Sequence, residues 1–208
     1  MTFLPYTLMN ASYTVIGSLL VPEVHPDRLG AIALVYLLAV GVSAHALDAT
    51  APNKPWGNYM SKRQLEALAA IALVPALAIG AYYALAYAPL LLLVGALELF
   101  FLIAYNLELF SAFFHTDFWF ALSWGFLPVI AGFVIQTNTL TLPPLAGGLF
   151  GFSTAYVEIS ASRPYRGLKK DPSSVNSPYT RKFEAILKAV VSSVIAAAAL
   201  LFLFRIVG

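Results

Sequence analysis

Long apolar stretches, broken by short polar ones, constrain this chain more than any motif it carries. Residues 91–110 read "LLLVGALELFFLIAYNLELF", and runs of similar character recur from end to end. About 20 predominantly apolar residues suffice for a helix to cross a bilayer. Across the 208 residues, 60% are hydrophobic and only 11% charged, too few to cover the surface of a water-soluble domain of this size. The expected fold is therefore all-α, a polytopic membrane helix bundle of about seven transmembrane helices. The spans fall near residues 3–20, 29–48, 65–83, 89–108, 118–136, 143–160 and 183–206. The first residues carry no basic segment and no small-residue cleavage site comes after them, so the first run is expected to stay as a helix rather than be removed. There is no cysteine, which excludes disulfides and thiolate metal sites.

Charge then orients the bundle. Seven spans put Lys54, Lys62, Arg63, Arg163, Arg166, Lys169, Lys170, Arg181, Lys182 and Lys188 on the side of the N-terminus, leaving only Arg28 and Arg205 opposite. By the positive-inside rule that side, and the N-terminus with it, is cytoplasmic in a multi-pass protein of the cell membrane. The chain reads as a single domain over residues 1–208, with a basic cytoplasmic loop at about 161–182, "YRGLKKDPSSVNSPYTRK" at its heart. That loop is expected to be solvated and to touch anionic headgroups.

Ionisable residues inside a membrane bundle are costly and tend to face its interior or a wet cavity. The second run ends in "AHALD", with His45 and Asp48 one turn apart on a face. A carboxylate at a helix C-terminus opposes the macrodipole, which argues against simple capping. The fourth run ends in Tyr105, Asn106 and Glu108, and the loop "SAFFHTDFW" adds His115 and Asp117. All of these belong to the cytoplasmic mouth. Glu98 falls near mid-bilayer and is expected to be neutral or bonded to a serine, tyrosine or carbonyl of a neighbouring helix. Glu158 falls about a turn from the cytoplasmic end of its helix, close enough for Arg163 or the cavity to meet it, and packing is the expected role of both Glu98 and Glu158.

The layout resembles the intramembrane prenyltransferases of the UbiA superfamily. "AHALD" has the spacing of that family's N-D-x-x-D motif, with Ala44, His45 and Asp48 in the Asn and two Asp places. "LIAYNLELF" is similar to the end of its fourth helix, and "FALSWGFLPVIAGFV" to its Gly- and Pro-bearing fifth. The likeness implies an isoprenoid diphosphate in the apolar bundle and Mg²⁺ on its head. Asp48, His45, Glu108 and Asp117 are then the catalytic candidates, with Tyr105, Asn106, Lys62, Arg63, Arg163 and Arg166 binding the substrate. The family's second acidic motif is missing: "SASRPYRGLKKDP", residues 160–172, holds no D-x-x-x-D. Catalysis is thus expected to be lost or altered. "HALD", "YNLELF" and "FHTD" also resemble a group of prokaryotic membrane proteins without an assigned activity.

Two alternatives remain. His45, Asp48, Glu108, His115 and Asp117 could hold a transition metal, which imidazole suits better than Mg²⁺. Or the chain is a non-catalytic binder of lipid or quinone, or an accessory subunit of a membrane complex. No basic surface interleaved with aromatics suggests nucleic acid.

Overall fold

The computed structural model describes residues 4–50 and 60–207, which form helices and no strand. Lys54 lies outside the described residues. Seven helices run in order: α1 Leu4–Leu19, α2 from Pro26 to Asp48, α3 Lys62–Ala86, α4 Leu91–Asn106, α5 from Asp117 to Thr137, α6 Leu142–Lys170 and α7 Pro178–Phe202. A π-helical turn over Leu203–Val207 extends α7. Four of them, α2, α3, α5 and α7, are long and apolar enough to cross a membrane, and α4 is apolar but shorter.

Local chemistry explains where the helices start. Ser61 and Gln64 form a reciprocal capping box at α3, and Ser177 accepts the Thr180 N–H at α7. Pro26, Pro143 and Pro178 occupy first turns, where a missing N–H costs nothing. Two helices are interrupted by π turns, Ala39–Ala44 in α2 and Leu122–Phe126 in α5. A π turn rotates the two halves of a helix relative to each other, and such turns recur at functional sites.

The core is built on α5, whose residues from Leu127 to Gln136 are all buried. α1 lies against it, with Gly17 beneath the Val129 carbonyl and Gly132 beneath the Thr14 carbonyl, so close that neither position has room for a methyl group. Gly125 of α5 and Gly151 of α6 face each other in the same way. Small residues let backbones approach where lipid supplies no hydrophobic drive to association. Polar groups of α1 tie the contact: Asn10 donates to the Trp124 carbonyl at 2.6 Å and Ser18 to the Gly132 carbonyl at 2.9 Å.

One end of the bundle is closed by a clamp. Gln136 bonds both backbone groups of His25, at 2.8 and 3.2 Å, while Arg28 donates to the Gln136 carbonyl at 3.0 Å and lies over the Tyr87 ring. Arg205 donates to the carbonyls of Val21 and Pro22. The opposite end carries the basic residues.

One boundary differs from the sequence expectation. The apolar pattern predicts that α6 stops near Ser160, but it continues through Pro164 to Lys170, 29 residues in all. At about 1.5 Å per residue it is roughly 44 Å long, more than the ~30 Å hydrocarbon core. Its last turns carry Arg163, Arg166, Lys169 and Lys170, and the expected loop shrinks to residues 171–177.

Candidate functional site at the basic end

The π turn of α2 delivers "HALD" to the basic end. His45 Nδ1 lies 2.6 Å from the Val40 carbonyl, and because a carbonyl only accepts, Nδ1 carries the proton. The His45 ring meets Tyr6 of α1 edge-on, with centroids 6.0 Å apart. Tyr6 in turn packs on Phe120 of α5, and Phe120 on Tyr105 of α4.

Tyr105 is the centre of the arrangement. It is buried, and the His115 ring stacks on it at 4.4 Å with 26° between planes. His115 also has Nδ1 committed, at 3.1 Å from the Tyr105 carbonyl. Both histidines therefore show the pattern in which a backbone carbonyl fixes tautomer and ring orientation. The loop between α4 and α5 is held by rings: Phe114 meets Phe100 and Trp119, each at 5.1 Å. Its backbone is strained, with Glu108, Phe110, Ser111 and Ala112 all in the left-handed region at φ between 51° and 61°.

α6 supplies the cations. Arg163 pairs through Nε with Asp117 at 2.8 Å and donates through Nη2 to the His115 carbonyl at 3.0 Å. Asp117 also receives Ser160 Oγ at 3.4 Å, whereas the start of α5 is capped by Thr116, which accepts the Trp119 N–H. Arg166 is exposed and acts on both Tyr105 and Glu158 electrostatically. Glu158 is buried on α6, and its Oε2 has no hydrogen-bond partner among the described residues.

The structure thus brings together His45, Tyr105, His115, Asp117 and Arg163, with Asp48 close enough to act on His45 and Tyr105. Other candidates stand apart. Asn106 is buried but bonds the Leu102 carbonyl of its own helix at 2.7 Å. Glu108 is exposed in the strained turn. Lys62 and Arg63 are exposed at the start of α3, where Lys62 faces Glu66 at 3.8 Å. Sequence reasoning missed Tyr6, which only tertiary packing joins to His45.

No three His, Asp or Glu side chains among the described residues form a group that could hold a metal ion. Family-type Mg²⁺ would need oxygen ligands in an octahedral shell from two acidic motifs. Here Asp117 is paired with Arg163, residues 160–172 hold no D-x-x-x-D, and a histidine, His45, stands three residues before Asp48. The residues do not fit that ion.

Glu98, as expected, finds a tyrosine on a neighbouring helix: Tyr36 of α2 donates to its Oε1 at 2.6 Å. No family model, curated protein or solved structure matched the chain.

Proposed function

We propose that the protein is a lipid-binding integral membrane protein on a UbiA-like helical bundle, in which Mg²⁺-dependent prenyl transfer has been lost or altered. All seven helices span the membrane of the cell, and the basic end faces the cytoplasm. There it receives the polar head of an isoprenoid or quinone-type lipid whose tail lies along the apolar helices.

The observation that carries this reading is Arg163. It is held between Asp117 and the His115 carbonyl, beside the buried Tyr105, about two turns before the end of a helix that goes on to Arg166, Lys169 and Lys170. A fixed guanidinium beside further cations is a receptor for phosphate or carbonyl oxygen. Tyr105 and the outward nitrogen of His115 complete the polar lining, while the aromatic loop keeps it at headgroup depth. The transition-metal reading lacks a converging ligand group among the described residues and is not carried further.

The test combines lipid analysis with an assay. Protein purified in mild detergent should retain an isoprenoid or quinone-type lipid by mass spectrometry, and Arg163→Ala should retain less. Geranylgeranyl diphosphate with Mg²⁺ and an aromatic acceptor should give transfer near background. Robust Mg²⁺-dependent turnover abolished by Asp48→Asn would restore a full prenyltransferase, and retention of bulk phospholipid alone would remove the lipid-receptor reading.

A further inference from the structure

A cavity of about 300 Å³ lies in the bundle between α2, α3, α4 and α5, away from the cluster at the basic end. It is lined by α2 from Ile32 to Val40, at the start of the π turn, and by α4 before Tyr105, so it sits nearer mid-membrane than the basic-end cluster. Leu77 and Ala81 of α3 and Leu92, Gly95 and Ala96 of α4 line it and are exposed, so it opens sideways between two helices that make few contacts with each other.

Its polarity is concentrated at one point. Among the lining side chains only Tyr36, Glu98 and Trp124 carry a polar atom, and none carries a positive charge. The Tyr36 hydroxyl satisfies Oε1 of Glu98, and no other hydrogen bond reaches this carboxyl from the described residues. An ionisable group at such depth is expensive and marks a pathway or ligand more often than packing.

The glycines supply an independent sign. Gly17, Gly125, Gly132 and Gly151 are required by helix contacts, but a Cβ on Gly80 or Gly95 would meet nothing within 4 Å. Both line the cavity. Each costs a helix interior about 1 kcal/mol relative to alanine, and what their smallness provides is open space beside the carboxyl.

We propose that this crevice binds a neutral membrane lipophile, entering from the lipid between α3 and α4, one polar oxygen of which is received by Glu98 while Tyr36 holds the carboxyl in place. The carbonyl of a quinone accepts from the carboxyl in its protonated form, and the hydroxyl of a prenyl alcohol donates to the same carboxyl oxygen. This is a second ligand position, separate in depth from the basic-end site, and it stands whether or not that site binds a lipid head.

Binding to the full chain in detergent should be measured with three radiolabelled probes: a decyl-substituted benzoquinone, farnesol and the lipophilic cation tetraphenylphosphonium. The quinone or the alcohol is expected to bind saturably, and the tighter of the two names the class. Glu98→Leu should weaken it about tenfold, the loss of one hydrogen bond of roughly 1.4 kcal/mol, and Tyr36→Phe, which removes the bond that orients the carboxyl, should weaken it less. Gly95→Phe, which fills the mouth, should abolish it while thermal stability and retention of lipid at the basic end stay unchanged. If Gly95→Phe does not fold, Gly80→Leu serves the same purpose. Undiminished binding in a folded mouth-filling variant overturns the proposal. So does saturable binding of the cation alone, lost in Glu98→Gln, which would make the crevice a cation site.

Discussion

Arg163 joins three elements through one guanidinium: its own helix, Asp117 at the start of α5, and the carbonyl that ends the α4–α5 loop. Lysine offers a point charge rather than a fork and cannot hold both partners in that geometry. Arg163→Lys should therefore recover little of what Arg163→Ala loses, about 1–2 kcal/mol after discounting for partial exposure. Thermal unfolding in detergent of both variants checks this, and full rescue by lysine would show that charge alone matters. At this scale the sequence exposed the right residue types but not their partners. "HALD" and "FHTD" were legible as polar groups at one depth, because helix ends in a membrane share a depth by construction. Tyr6 was not, since it reaches His45 across two helices with nothing in the local pattern to say so. Glu158 was visible as a buried acid, but its neighbour Asp117 emerges only when α6 is laid against α5.

Among elements, glycine separates helix contacts that need it from those that do not. Gly17→Ala should force α1 off α5 and destabilise by about 1–3 kcal/mol or more, the range for overpacking. Gly30→Ala, on an α2 face with nothing within 4 Å of the added carbon, should stabilise by up to about 1 kcal/mol. Opposite signs in the two melting temperatures are the expected result, and matching signs would contradict the packing described. Helix existence was legible because run length and hydropathy carry it. The extension of α6 was not, because Pro164 within "SASRPYRGLKK" reads as a breaker. Proline removes a single backbone bond, and the amphipathic turns on either side of it, with Ala161 and Tyr165 buried and Arg166 and Lys169 outward, continue the helix. The turn between α6 and α7 is pH-sensitive. The side chains of Ser173 and Ser174 and the Ser173 N–H hold the Asp171 carboxyl below its usual range. A depressed folded value means the stabilisation is complete above about pH 4, the unfolded range, and is lost as pH falls through the lower folded one. Amide exchange at Ser173 should accelerate on acidification below about pH 4, and Asp171→Asn should remove that dependence.

For the molecule as a whole, the two ends differ in how they are closed. One is clamped by Gln136, Arg28 and Arg205 on backbone carbonyls, and the other gathers the cations. A chain without cysteine allows a direct test of orientation. Ser173→Cys should react with an impermeant maleimide only after the membrane is opened, and Glu23→Cys should react on intact cells. The reverse pattern would invert the topology. The α1–α5 contact also has a consequence in time. Asn10 finds its acceptor, the Trp124 carbonyl, 114 residues further along the chain. At roughly 5–20 residues per second, synthesis needs about 6–23 s to deliver it. For that interval the face of α1 that bears Asn10, Thr14 and Ser18 has neither the Trp124 nor the Gly132 carbonyl to cover it. α1 is thus made well before it is finished, and the nascent protein must shelter it until its partner arrives.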